Sequence, residues 1–510
     1  SFLSLRHYLA FIYAVEEINK NSQILPNITL GYQIFDSCGC DFKAISGVLD
    51  TMSGAEQTIL NYDCRRNSKL VGYLGDFSSG TTYAMAQFLA MFRYPQAFFH
   101  DRTQFPSFYR TIPNEEAEMD GIVQILKHFG WKWVGLIVSD DDTGYRARES
   151  ISTELARMGG CLAFSAVIGD EVDYDKNDLV VQTGPPVNVT VLFITTKYAD
   201  IFMDAVFNFR IPQGFLITSS SLTDIVTNQF VPQEAMLNGT LSLLIQAGEI
   251  PGLHHFFNSF SPNNYPQNNV LKDIWHDVFS CHFPSYRLDN TSYSSEYVWC
   301  TGNESLTDTD FSQTGDYRVT YRVYTAVYAL ARALHNLYSA QAPTNHWDKL
   351  EYMRGNLKPW QVGQSVGYCM WVTLVTYAGK VLLLRLRNKD ERLYIGIMVE
   401  RDGRMSFFNP TYYYVMLHLF TLQIQMPQSL CNEPCAPGYR KAKIEGKPSC
   451  CYDCAKCADG EMSKTTDALD CFRCSDYEKS NKQRTGCVPK EINYLSYTDT
   501  LGASLTSIAL

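Results

Sequence analysis

The chain has little that would carry it across a membrane. Its two long apolar stretches are Val372 to Leu386, interrupted by Lys380 and Arg385, and the uncharged run Leu501 to Leu510. Both fall short of the about 20 residues a bilayer requires. The first is expected to be a buried strand pair or helix, the second a cut transmembrane helix. A dense Lys/Arg stripe is also missing. With 43 basic and 53 acidic residues the net charge is −10, so a phosphate backbone finds no visible attraction and nucleic acid is argued against. GxSxG, HExxH and Walker-type loops are absent, which removes the commonest catalytic signatures. The opening residues are expected to be part of a helix rather than a secretory signal. Leu5, Leu9, Ile12, Val15 and Ile18 already recur at helical spacing, so the sequence is expected to start mid-domain.

Cysteine is scarce too, except in one place. Nine fall in the 57 residues from Cys431 to Cys487, and the other 453 residues hold seven. A span this short has too little apolar surface to hold itself together, so the block marks a disulfide-stapled module. Zinc is the rival reading, since Cys454, Cys457, Cys471 and Cys474 form two CxxC pairs. The block has no His and five cysteines more than a zinc site needs. N-x-S/T sequons begin at Asn27, Asn188, Asn238, Asn290 and Asn303, and they agree with an oxidising compartment and disulfides. An odd count leaves one sulfur to be free or to tie the module to the rest of the chain.

At 510 residues, 45% apolar and 13% aromatic, the chain is globular and long enough for about three domains or lobes. Helical patterns cover Leu5 to Asn19, Thr81 to Phe92, Glu115 to Phe129 and Asp316 to Tyr338, the last with Val319, Val323, Ala326, Val327 and Leu330 on one side. Strand-like runs are Leu70 to Gly75, Trp133 to Ser139, Val189 to Thr196 and Phe215 to Thr218. This alternation implies an α/β fold with parallel sheets, and loops at the carboxyl ends of the strands available to a ligand. Residues 360 to 428 show no clean period. A Pro/Asn-rich loop at Ser261 to Asn269 is expected outside the core.

Chemistry-bearing clusters are few. His254 and His255 are adjacent, which puts their rings on different faces and reads as surface or packing histidine. Asp140, Asp141 and Asp142 lack the alternating spacing of a calcium loop and read as a solvated strand-to-helix turn. Gly75 to Thr82 (GDFSSGTT) runs straight into a helix, an arrangement that presents backbone N–H groups and hydroxyls to an anion, or serves as an ordinary N-cap. A metal-dependent enzyme would need a convergent His/Asp/Glu site, which the sequence does not offer.

The phrases AFIYAVEEINKNSQILPNITLGYQIFDSC, FPSFYRTIPNEEA, FGWKWVGLIVSDDDTG, AGEIPGL, CNEPCAPGYRKAKIEGKPSCCYDCAKCADGE and KEINYLSY carry a resemblance. Together they resemble the ectodomain of class C G-protein-coupled receptors, in particular the vomeronasal type-2 and fish olfactory C subgroup, which is similar to the calcium-sensing receptor. The likeness covers most of 1–335 and 405–510 and fades between about 360 and 405. It implies a two-lobed Venus flytrap of periplasmic-binding-protein type at 1–428, with lobe 2 at about 113–248 plus a later segment. A mostly β nine-cysteine stalk at 429–490 follows, then a linker and the start of a membrane helix at 491–510. The implied role is to sense a pheromone or odorant at the extracellular side of the plasma membrane, with no enzymatic activity. Ligand closes the lobes, a homo- or heterodimer reorients, and the stalk moves seven helices that engage a G protein. An amino-acid or cation sensor is the alternative. No cofactor is implied, with Ca2+ as a modulator.

The resemblance also assigns residues. Ser79 and Gly80 match the helix start that holds an amino-acid carboxylate. The loop after Pro95 and Gln96 is shorter than in amino-acid sensors. Thr143 stands where those sensors carry tyrosine and His255 where they carry an acid, leaving Asp101 or Glu249 as substitutes to face an ammonium. The implied disulfides are Cys431 with Cys451, Cys435 with Cys454, Cys457 with Cys471, and Cys474 with Cys487. Cys450 then goes to Cys161 in the second lobe, and Cys281 pairs with Cys300. Cys38 is expected without its usual partner, and Cys64 sits where relatives join two protomers.

Overall fold

A computed structural model of the chain describes residues 2–38, 40–54, 69–75, 79–93, 115–169, 186–199, 201–202, 214–222, 240–245, 248–266, 269–283, 298–306, 317–340, 357–366, 380–388, 391–401, 404–407, 427–492 and 494–509. Nine helices are labelled here: α1 (Phe2–Lys20), α2 (Asp41–Ser53), α3 (Ser79–Phe92), α4 (Glu115–Phe129), α5 (Asp142–Arg157), α6 (Leu253–Ser259), α7 (Asn269–Phe279), α8 (Arg318–Ala340) and α9 (Thr500–Ala509). The largest sheet holds β1 (Trp133–Ser139), β2 (Cys161–Ile168), β3 (Val189–Phe193), β4 (Phe215–Thr218), β5 (Leu241–Ile245), β6 (Lys380–Asn388), β7 (Glu391–Arg401) and β8 (Arg404–Phe407) in the order β2-β1-β3-β4-β5-β6-β7-β8. β1 to β5 pair in parallel and β6 to β8 extend the edge antiparallel.

β1 shows why the sheet forms. All seven of its residues are buried, as a parallel strand covered on both faces requires. Side chains alternate across the pleat. Val134, Leu136 and Val138 face a core built with Ile122, Ile125 and Leu126 of α4 and Ile151 and Leu155 of α5. Trp133 and Ile137 face the opposite core, with Phe164, Leu192, Ile194 and Phe202. Gly135 has to be glycine, because an added Cβ would lie 2.3 Å from the Phe164 ring.

A second body is helical. α1 packs along α8, with Ala14, Val15 and Ile18 against Val327, Ala331 and Leu334. The N-terminal half of α1, with Leu5, Leu9 and Ile12, meets Leu253 and Phe257 of α6 and Trp275 of α7. The buried face of α8 is rotated from the expected one: Val319, Val323 and Leu330 are only partly covered, and Ala331 and Leu334 go inside. α2 and α3 share a small core of Val48, Met85 and Leu89.

Two expectations change. Leu70 to Gly75 is described but forms no ladder; a strand exists only against a partner, and none reaches it among the described residues. Residues 380–407, where no period was legible, supply three strands. The run Val372 to Leu386 therefore contributes β6, paired with the chain that follows it, while 371–379 lies outside the described residues. The Val189 strand ends at Phe193.

The cysteine block folds as three two-stranded ribbons: β9 (Tyr439–Lys443) with β10 (Tyr452–Lys456), β11 (Glu461–Met462) with β12 (Phe472–Arg473), and β13 (Glu478–Ser480) with β14 (Cys487–Pro489). Cys431–Cys451, Cys435–Cys454, Cys457–Cys471 and Cys474–Cys487 are bonded, closing spans of 13 to 20 residues. Each closure is worth about 3 kcal/mol on the chain-entropy account, which stands in for the missing core. The CxxC pairs are thus spent on disulfides rather than zinc. No described helix is long and apolar enough to cross a membrane.

Candidate ligand-binding cleft

In an open parallel sheet, the carboxyl ends of the strands form the natural crevice. Here the end of β1 runs through Asp140 and Asp141 into α5. Asp141 is not a solvated turn residue. It N-caps α5 by accepting from the Gly144 N–H at 2.7 Å, and it also accepts from the hydroxyls of Ser139 at 3.1 Å and Thr195 at 2.6 Å. One carboxylate therefore pins the ends of β1 and β3 together. Asp140 accepts from the Tyr145 hydroxyl at 2.6 Å, and this bond, with burial, holds the phenol above its ordinary pKa.

Thr143 sits on this lip, buried, with its hydroxyl donating to Glu115 Oε2 at 3.2 Å. Arg146 Nη2 lies 3.5 Å from the same oxygen. One turn along α4, Glu118 is 6% exposed and accepts from the Ser220 N–H, just past β4, at 2.8 Å. Residues three apart share a helix face, so α4 carries two carboxylates on the side where β1, β4 and α5 begin or end. Sequence reasoning missed both glutamates. The spacing Glu-x-x-Glu in NEEAE was the available signal, but it equally describes a solvated first turn of a helix.

Ser79 and Gly80 open α3, and α3 approaches α5 to within 8 Å between Cα atoms. Its first turn carries no acidic residue, and the positive end of a helix dipole favours an anion. The arrangement sets a positive helix end and two carboxylates around neighbouring elements. His255 does not join them: it lies exposed on α6 beside His254, their ring centroids 6.2 Å apart. A residue on this first turn of α6 follows the helical body rather than the strand ends. Glu249 is also exposed. Asp101 and Cys64 lie outside the described residues, as do Asn238 and Asn290. Asn27 is exposed, Asn188 donates its amide to the Gln428 carbonyl at 2.7 Å, and Asn303 accepts from Asn263 at 2.8 Å. Among the described residues, no group of three or more His, Cys, Asp or Glu is placed to hold a metal.

The sheet that bears the lip is joined to the cysteine block. Cys161, first residue of β2, is bonded to Cys450, so the odd sulfur of the block is the tie. Cys451 packs into the same core as Trp133 and Phe164. Ser429 accepts at its carbonyl from the N–H groups of Lys132 and Trp133, and its hydroxyl donates to the Trp133 carbonyl. In the helical body, Cys281 and Cys300 are bonded. Cys38 and Cys40 form no disulfide, and Lys43 Nζ lies 3.2 Å from Cys38 Sγ.

A periplasmic-binding-like α/β body tied to a nine-cysteine module defines the ligand-binding extracellular region of a class C receptor. The chain belongs to this family: residues 6–384 match the receptor family ligand binding region, and residues 426–480 match the nine cysteines domain of family 3 GPCRs. It is similar to the pig extracellular calcium-sensing receptor, 28% identical with all of this chain and 52% of the relative covered. Mouse vomeronasal type-2 receptor 26 is 30% identical, with 99% and 61% covered. Rat metabotropic glutamate receptor 8 is 25% identical, with 94% and 54% covered. The chain thus spans about half the length of the curated relatives it matches. The matching family is one of receptors, not of enzymes.

Proposed function

We propose that this chain senses a pheromone or odorant for a chemosensory class C receptor at the plasma membrane, closing on its ligand and passing the movement through the stalk to helices outside this chain. The observation that carries this reading is the bonding of Cys450 to Cys161 on the body that bears the cleft lip. A stalk held to that body by a covalent bond, by the Ser429 contacts and by Cys451 in its core has to follow its motion. Two copies meet through α2 and α3, whose Phe42, Tyr83, Met91 and Phe92 are exposed, with Cys64 as the covalent link, and the helices engage a G protein. Expression of the full-length receptor with an intracellular calcium reporter, against amino acids, peptides and nucleotides, tests the reading. A ligand whose response is lost in Ser79→Ala supports it; a ligand whose binding maps away from α3, α4 and α5 sinks it.

Glu115 and Glu118 favour a second reading of ligand class. A bare ammonium buried without a counter-charge costs several kcal/mol; Glu115 stands against Thr143, which cannot meet that charge itself, and Glu118 lies one turn along the same helix face. They support an amino-acid or cationic ligand, with Ca2+ as a modulator of the same lip.

A further inference from the structure

β5 leaves the sheet at Ile245, and the chain enters the helical body at α6, where Ile250 and Leu253 join the core with α1. Side chains of that helical body meet this crossing at three points. Arg318, the first residue of α8 and 3% exposed, donates Nη1–H to the Ile245 carbonyl at 2.6 Å. The ring of Tyr321, one turn further, covers Gly248 so closely that an added Cβ would lie 2.3 Å from Tyr321 Cδ1. Tyr13 of α1 donates its hydroxyl to the Pro251 carbonyl at 2.5 Å, and the same hydroxyl sits over Gly252, whose φ of 81° starts α6.

The three contacts are mechanically linked. Tyr13 and Tyr321 each stack on Tyr324, with centroids 6.4 Å apart in both pairs, and Tyr324 donates to Glu17 of α1 at 2.7 Å. α1 and α8 therefore hold the crossing as one unit, and the three residues lie on helices other than α3, α4 and α5, which carry the lip. A buried Arg-to-carbonyl bond and a ring packed on a glycine Cα each favour one path of the chain over others.

We infer that Tyr13, Arg318 and Tyr321 form a grip on the crossing segment that sets the resting angle between the two bodies, and so tunes ligand affinity from outside the cleft. The inference rests on the closure reading above. A protein whose binding-competent state is only fractionally populated binds with affinity reduced by that fraction, so residues that bias the angle bias affinity without contacting ligand.

Single-molecule energy transfer between dyes on α5 and α2 of the 510-residue chain tests this without any ligand. Wild type should exchange between two interlobe distances. Tyr13→Phe, which removes one hydroxyl and keeps the ring, should change their ratio about fivefold, the effect of one hydrogen bond. Tyr321→Leu should change it at least as much. Both should keep a melting temperature near wild type, and should Tyr321→Leu fail to fold, Tyr13→Phe alone decides. A wild-type chain with one fixed distance overturns the closure reading and the grip with it. A wild-type chain that exchanges, with ratios in folded variants unchanged within twofold, overturns the grip alone.

Discussion

Trp131 donates its indole N–H to the carbonyl of Pro427 at 2.7 Å, across 296 residues of sequence. The ring stacks on Phe129 at 4.7 Å and leans on Phe215 at 5.3 Å, so the donor is rigid and the segment leading to the stalk is fixed at its last step before Ser429. Trp131→Phe keeps most of the packing and removes the donor, at about 1 kcal/mol. Limited proteolysis should then cut at 427–430 about fivefold faster, while the rest of the chain keeps its cleavage pattern. An unchanged rate would place the hold on the linker in the disulfide alone.

The stalk should show an acid limb. Burial pushes the Asp467 carboxyl up, but the Cys435 N–H at 2.8 Å, the Tyr452 hydroxyl at 2.9 Å and Lys441 at 3.3 Å outweigh it and hold the group below its ordinary range. A carboxylate depressed in the folded state stabilises above its unfolded pKa of about 4 and loses that contribution as pH falls through the folded value. Asp467→Asn should lower the melting temperature at neutral pH and flatten its fall below pH about 4. Tyr452, pushed up to about 12 by burial and by Asp467, stays protonated throughout and adds nothing in that window.

His7 should act in the opposite body and at milder pH. Burial first, then the charge of Arg6, lowers it to about 3, and Nδ1 lies 3.0 Å from the Thr320 hydroxyl of α8. The folded state keeps the ring neutral while the unfolded chain takes up a proton below about pH 6.5. Stability is therefore whole above that pH and falls by up to about 1.4 kcal/mol per unit as pH drops toward 3. His7→Gln should weaken the protein at pH 7 yet remove much of the loss between pH 6.5 and 5, as thermal melts across that range would reveal.

Gly438 is the stalk glycine with the least room for a side chain. Its φ is 91°, and an added Cβ would lie 2.1 Å from the backbone carbonyl of Gln483. Backbone cannot step aside as a side chain can, so Gly438→Ala should cost about 3 kcal/mol or more and block secretion. Secretion at the wild-type level with native disulfides would contradict this packing.

How much of this was legible varies by element. α4 and β1 lie where their patterns put them, because Ile122, Ile125 and Leu126, and the run WVGLIVS, bury nearly everything they contain. α5 escaped notice because its buried stripe is narrow: Thr143, Ala147, Ile151 and Leu155 fall four apart among charged residues. β6 and β7 carry four arginines between them and show no alternation. The disulfide partners follow the family resemblance, since spacing alone leaves many pairings open. Glu115 and Glu118 were not legible, because tertiary approach alone brings Glu115 against Thr143 and Glu118 against Ser220.

On the proposed reading, ligand closure reaches the stalk through the sheet-bearing body. It is tested most directly in the full-length receptor by comparing binding and signalling of one screened agonist in Cys161→Ser/Cys450→Ser. The account predicts agonist affinity within about twofold of wild type and signalling cut tenfold or more, deepened further by Trp131→Phe. Full signalling from the double variant at unchanged potency would contradict it.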